Sequence, residues 1–374
     1  MRYPHIVILI LLILVGSLEP VTVHGTTTVP TKSLGLNAEN SIPPSRSLAS
    51  IVYDEVNDRV MMYGGQGDEV YGDTWVFDYP SGSWIELSIL SSPSVRHSAT
   101  MVYDSSHEVI ILFGGYGESS ALSETWIFDC ATEEWTEVTP EYSPPPRMSH
   151  AMVYDSKNDR VLLFSGYGVE NDTWAYNYAT NTWTEMHPTI VPHKRYGAGC
   201  VFDTVTNSMI IFGGNSHGYR SDCWKYDYAL NTWTEIESNI HPPALKWSCV
   251  TYDTINQKML LFGGDMTSGI VSNTTWIFDA ATDVWTEQSP VTAPSQRMAA
   301  PLVYDSFNEN ALLFGGNPSP SIYLNDTWLY DFVTHDWTNL STGLSDSDSF
   351  PIGILLLVSA VGLVIVGGVI IRRR

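Results

Sequence analysis

Positive charge is what this chain has least of. Only 18 Lys and Arg stand against 41 Asp and Glu in 374 residues, for a formal net charge of −23. That balance excludes nucleic acid and anionic lipid as natural ligands and keeps a large body soluble. Cysteine is also sparse. Cys130, Cys200, Cys223 and Cys249 match no metal-ligand spacing, so no metal and no cofactor is expected. Cys200 and Cys249 fall in equivalent segments, which leaves a disulfide open, although small buried apolar residues describe all four as well. No Gly-x-Ser-x-Gly elbow, His-Glu-x-x-His pair or phosphate loop occurs. Binding is therefore expected ahead of catalysis.

Long apolar runs are confined to the two ends. Residues 1–25 carry Arg2, an apolar run from Ile6 to Val15, and a small-residue exit at Gly25, the pattern of a secretory signal peptide. Ile352 to Ile371 is twenty residues without a charge, followed by Arg372, Arg373 and Arg374. About 20 such residues cross a bilayer as a helix, and positive residues stay on the cytoplasmic side. The expected topology is a single-pass plasma-membrane protein, with residues 351–371 as the transmembrane helix, 372–374 as a cytoplasmic stub and the body outside the cell. A Pro351-initiated span with an Arg stop is also similar to the anchors of archaeal surface proteins. Setting aside Arg2, the terminal arginines and Glu19 leaves 14 basic residues against 40 acidic in the exported part.

Between the ends lies a repeat. Residues 26–43 are a Thr/Pro-rich linker and 342–350 a polar stalk. From 44 to 341 one unit recurs six times: an Arg, a Val-Tyr-Asp, an apolar run ending in Gly-Gly, a Thr-Trp and a final Trp. The Gly-Gly sites begin at Gly64, Gly114, Gly213, Gly263 and Gly315, with Ser165-Gly166 as the variant, in steps of 50, 51, 48, 50 and 52 residues. Four short apolar runs per period of about 50 predict blades of four antiparallel strands, a to d. In the second repeat these are 97–103, 109–113, 125–128 and 135–138. Asp54, Asp104, Asp155, Asp203, Asp253 and Asp305 end strand a, where a carboxylate caps a tight turn. Glu86, Glu137, Glu185, Glu235 and Glu287 on strand d discourage edge-to-edge pairing.

Arg, then Gly-Gly, then two Trp at this spacing resembles the kelch family. The resemblance implies an all-β, six-bladed kelch-type β-propeller over 44–341, with blades of about 44–90, 91–140, 141–190, 191–239, 240–290 and 291–341. The departures are Ser165 for Gly, Leu245 for Arg and Cys223 for Thr. A complete strand set in every repeat predicts closure without exchange of a strand between the termini.

Strand parity puts the b–c loops, the d–a links and the start of strand a on one face of the ring, and the a–b and c–d turns on the other. The b–c loops vary in sequence, as binding loops on a rigid ring do. Three residue sets are expected to converge there. The first is Arg46, Arg96, Arg147, Arg195 and Arg297, each seven positions before the aromatic of strand a. Matching arginines line the central pocket in several kelch proteins, and guanidinium suits carboxylates, although scaffold pairing explains them too. The second is Tyr71, Tyr116, Tyr167, Tyr219 and Tyr323, since Tyr gives contact area at little entropic cost. The third is Trp247, the off-pattern member of 13 tryptophans, in the blade that lacks both the Arg and the loop Tyr.

The resulting expectation is a cell-surface module that recognises a protein or carbohydrate through the b–c loop face. Some six-bladed kelch proteins are sugar epimerases or mutarotases, so a sugar-processing enzyme, hydrolases included, with an Arg-lined pocket is the alternative. An adhesion or surface-layer component is a third. The copper oxidase on a related seven-bladed scaffold would need Tyr and His ligands around the axis, and His97 and His150 are not equivalently placed. Asn171, Asn273, Asn325 and Asn339 head glycosylation sequons.

Overall fold

The computed structural model describes residues 42–341. The expected signal peptide, most of the linker, the stalk, the apolar span and the Arg stub lie outside them. Six four-stranded antiparallel sheets, each continuous in sequence, form the blades of a β-propeller. Strand a is Ser50–Asp54, Thr100–Asp104, Ala151–Asp155, Gly199–Asp203, Cys249–Asp253 and Leu302–Asp305 in blades one to six. In blade two, strands b, c and d are Val109–Phe113, Thr125–Asp129 and Glu134–Val138. Strand a there begins at Thr100; His97 makes only an isolated bridge, to Tyr116. The apolar b strands, buried on both sides, are the middle of each blade. Among the described residues no helix is long and apolar enough to cross a membrane.

The a–b turns form as the repeated Asp predicts. Each of the six carboxylates is buried and accepts backbone N–H groups two and three residues on, as Asp54 does from Val56 and Asn57. The five strand-d glutamates are exposed.

The blades adhere through the final Trp. Each packs on the aromatic just before the Gly-Gly site of the preceding blade, from Trp233 on Phe164 at 4.8 Å to Trp135 on Tyr63 at 5.5 Å. Such pairs contribute about 0.5–1.5 kcal/mol beyond area burial. Four indole N–H groups also donate to a strand-c Thr of that preceding blade: Trp84 to Thr327, Trp183 to Thr125, Trp233 to Thr173 and Trp337 to Thr275, at 3.0–3.2 Å. Trp285 faces the blade in which Cys223 replaces that Thr, and its indole N–H has no partner; that of Trp135 lacks one as well.

Strands a touch their neighbours all the way round, blade six against blade one, so they are innermost. Trp84 reaches across to Phe314 at 5.1 Å, and Arg46 N–H donates to Leu324 O at 3.0 Å. The ring closes by packing and hydrogen bonds, with no strand exchanged. All four cysteines are free thiols. Burial pushes each thiol up, that of Cys249 to about 12, so they are inert filler.

Candidate functional site on the loop face

The five arginines are consumed by the scaffold. Their side chains are inaccessible, and each guanidinium is held by its own blade. Arg195 shows the pattern. Nε–H donates to His193 O at 3.0 Å, and one Nη donates to Gly213 O at 2.9 Å. A fork then grips Asp222 at 2.7 and 2.8 Å. Arg46, Arg147 and Arg297 grip Asp73, Asp172 and Asp326 in the same way, and Arg96 holds Glu124 at 2.5 Å. Burial alone would raise the Asp222 and Glu124 carboxyls, but their arginines outweigh it and hold both below the usual range. The same acid also takes the indole N–H of the strand-c Trp, as Asp222 does from Trp224. The arginine-lined pocket expected from the sequence is replaced by a latch, because each guanidinium is inaccessible and already bonded to an acid and to carbonyls of its own blade.

The backbone of these residues seals the blades. Gly65 N–H donates to Arg96 O, and Arg96 N–H to Tyr71 O, across the seam between blades one and two. A side chain on Gly64 would meet Arg96 O at 2.5 Å, which is why this close seam takes glycine. Blade five lacks the latch in both halves. Leu245 stands for the arginine, and Thr274 stands for the acid and receives the Trp276 indole N–H at 3.1 Å. Losing the cation together with its anion leaves no buried charge alone.

Two residues beyond each arginine position the chain forms a closed circuit around the axis. Leu48, Ser98, Ser149, Gly197, Trp247 and Ala299 each donate N–H to the carbonyl of the preceding member, at 2.7–2.9 Å. All six have φ between +51° and +63°. This circuit rims an axial cavity of about 210 Å³. Five members carry small or aliphatic side chains or none, and one carries an indole. A Cβ on Gly197 would lie 2.5 Å from Trp247 Cδ1, so the glycine is required by the ring lying across it. The neighbouring non-glycine members show that positive φ by itself is tolerated here.

Around Trp247 the structure gathers the polar and aromatic groups that the latch does not use. Lys246 Nζ lies 4.0 Å from the Trp247 ring centroid, 5.2 Å from Tyr219 and 5.7 Å from Tyr196. Lys246 pairs with Asp265 at 3.3 Å, and the Tyr219 hydroxyl donates to the same carboxylate at 2.9 Å. Tyr196 stands 6.0 Å from Trp247 and meets Tyr167 edge-on at 5.2 Å. Burial, then Tyr167 and Asp265, raises the Tyr196 hydroxyl. Burial and the bond to Asp265 raise that of Tyr219. Both stay protonated at neutral pH. Tyr167 is 53% exposed and opens the cluster to solvent. Arg220, beside Tyr219, has no ion pair among the described residues, and its buried Nε–H has no acceptor.

The remaining tyrosines lie apart. Tyr71 stacks on Arg46 at 4.2 Å, Tyr116 stacks on His97 at 5.5 Å and donates to Ser119 O, and Tyr323 is half-buried in the loop of blade six. Sequence reasoning found Tyr167, Tyr219 and Trp247 but missed Tyr196, Lys246, Arg220 and Asp265. Lys246 adjoins the two residues that break the pattern, Leu245 and Trp247, and that was the available signal.

A family profile described as the KLHDC2/KLHL20/DRC7 Kelch-repeats domain matches residues 22–190 and 156–368. The chain belongs to the kelch-repeat family. No curated protein matches it. Kelch propellers generally bind protein partners, which makes this propeller a candidate protein-interaction module. Among the described residues one group has metal-ligand geometry, Asp104, His107 and Asp159 on the turn face. Its Asp104 is the buried turn cap, already accepting from Ser106, His107 and the imidazole. The sequons at Asn171, Asn273 and Asn325 have a reason within the fold: their Thr173, Thr275 and Thr327 hydroxyls receive the inter-blade indole N–H groups.

Proposed function

We propose that this kelch propeller is an exported, membrane-anchored module that binds a protein partner on its loop face, at the blade four–five junction. The observation that carries the reading is the cluster of Tyr167, Tyr196, Tyr219 and Trp247 around Lys246. It is an aromatic surface with one cation, placed where the repeat's own latch is missing. Aromatic and cationic side chains held rigid by neighbours are the usual anchors of protein interfaces. A carbohydrate face stacked on Trp247 uses the same surface and is an outcome of the test. A sugar-processing reading has less support, since the arginines offer no guanidinium to a substrate. The anchor reading rests on the uncharged run 352–371 and on Arg372, Arg373 and Arg374 after it.

The test is a binding screen of the full chain, in detergent, against arrays of exported proteins and of glycans. Saturable binding to a protein should weaken at least about tenfold in Trp247→Ala and in Lys246→Ala, as hot-spot truncation does, with the circular dichroism of the propeller unchanged. Saturable glycan binding lost in the same variants replaces the protein partner with a sugar. Binding indifferent to both substitutions overturns the site.

A further inference from the structure

The two faces of the ring differ in charge, and the apolar margin of one of them has no role within the blades. The d–a links into blades two to six each carry one apolar side chain in solvent: Leu90, Tyr142, Ile190, Ile240 and Val291. Ile42 holds the same place in the segment that enters blade one. All six are more than half exposed. In the links they stand three or four residues past the end of the outer strand d, so they ring the margin of the loop face. That face is nearly free of unbalanced charge. Residues 87–95, 139–146, 187–194, 237–244 and 289–296, which form the links, contain two acids, Glu141 and Glu237. In the b–c loops five acids are latched to arginines, Glu170 is paired with Lys194 and Asp265 with Lys246, which leaves Asp68, Glu69 and Glu118. The turn face is the reverse. The five residues from each capping Asp, with the five from the last residue of each strand c, hold 18 acids and one Lys or Arg, Lys157.

We infer that the margin of the loop face rests on the lipid surface of the protein's own membrane, with the six side chains in the interface. Two independent features select that occupant. The first is the tether. Strand d of blade six, Asp336–Asn339, ends on the loop face, and the uncharged run begins at Ile352. The ten residues 342–351 reach at most about 33–36 Å when extended, so the face that carries the apolar ring is the one held next to the bilayer. The second is charge. A bilayer interface accepts exposed apolar side chains and excludes a face dense in carboxylates, and the acids are gathered on the side turned away. The net charge of −23 restricts the lipid to a neutral or zwitterionic one. Tyr142 is of the aromatic type that settles at the membrane–water boundary. Six separate side chains make a weak contact, and the short tether makes it intramolecular, at an effective concentration of order mM, so a weak contact suffices.

The inference rests on the anchor reading of the proposed function and deepens it. Trp247 and its neighbours lie inside the ring and are turned towards the bilayer, so a partner that reaches them lies along the same membrane. Detergent frees the face, and the binding screen then meets the site uncovered.

Fluorescence quenching of the full chain in phosphatidylcholine vesicles tests it. A thiol-reactive fluorophore is placed at Leu90→Cys, Ile190→Cys or Val291→Cys on the ring, or at Ile255→Cys on the turn face, and the wild type supplies the background from its own four thiols. Phosphatidylcholine with a nitroxide on its acyl chain should quench all three ring labels and leave the turn-face label bright. Leu90→Asp, Ile190→Asp and Val291→Asp together should cut the quenching of a label at Tyr142→Cys at least about fivefold, because each puts a carboxylate where the interface takes an apolar group. Circular dichroism should not change, since these side chains are exposed. Ring labels quenched no more than the turn-face label overturn the inference. So does quenching on one side of the ring only, or a ring buried instead in a dimer of the chain in detergent. Flotation with the vesicles after an alkaline carbonate wash reads the anchor separately. A chain that washes off removes the anchor reading and the inference with it, whereas a chain that floats with bright ring labels keeps the anchor and loses the lipid contact.

Discussion

His150 should make this propeller sensitive to mild acid. It stands where the other blades have Ala49, Ala99, Ala198, Ser248 and Ala300, and it is 95% buried at the seam of blades two and three. Its ring meets Phe113 edge-on at 5.6 Å, and neither ring nitrogen has a partner. Burial, with a smaller contribution from the Arg147 guanidinium, pushes the imidazole down to about 3 from an ordinary 6.5. The folded state therefore keeps it neutral, while the unfolded chain binds a proton below pH 6.5. Stability is unaffected above that value and falls as pH drops from 6.5 towards 3, by up to about 1.4 kcal/mol per unit. At pH 5 the loss is about 2 kcal/mol, a sizeable part of an ordinary folding stability of about 5–15 kcal/mol. His150→Ala installs the residue most other blades use and removes the titrating group. Urea unfolding of both proteins at pH 7.5 and pH 5.0 isolates the effect, because His97, also lowered by burial, and every carboxylate are common to both. The wild type should lose about 2 kcal/mol more than the variant between the two conditions. Equal losses would mean that the imidazole is hydrated or paired in solution, and would refute the reasoning.

Four further outcomes follow from the same geometry. Arg147→Ala strands the Asp172 carboxylate and should cost about 3–5 kcal/mol, whereas Leu245→Arg should be tolerated only together with Thr274→Asp; chemical denaturation of the single and double variants decides it. Gly197→Ala should displace the Trp247 indole, change tryptophan emission and cost about 1–3 kcal/mol by overpacking, while Ser98→Gly, also in the circuit, leaves emission unchanged. In a secretory host Asn273→Gln and Asn325→Gln, at exposed sites, should each remove one glycan step on a gel, and Asn171→Gln, whose amide donates to Pro192 O at 3.2 Å, should remove none. If the stalk of about ten residues tethers the loop face within about 33–36 Å of the bilayer, antibody access to Tyr116 on intact cells should be restricted; full access contradicts a membrane-facing orientation.

The repeat was legible because its residues answer to contacts that recur every period. The turn-capping aspartates, the Gly-Gly pairs and the two tryptophans each do the same local work six times, so periodicity alone determined the blade, the number of blades and closure without strand exchange. The arginines show where that reading stops. They recur as strictly as the glycines, and a conserved-looking cation near an axis reads equally as ligand or scaffold. Only the folded blade brings Arg195 against Asp222, 27 residues away, and shows the guanidinium buried in that grip. One trace of this was present in the chain, since Leu245 and Thr274 depart from the pattern together.

What the sequence by itself determined is therefore the unit and its count, because both depend on contacts that recur with every period. What only the tertiary structure decided is which deviations meet: Trp247 over Gly197, and Lys246 among three rings. Trp247 and Gly197 are 50 residues apart, as are Lys246 and Tyr196, and such pairs become adjacent only when consecutive blades pack.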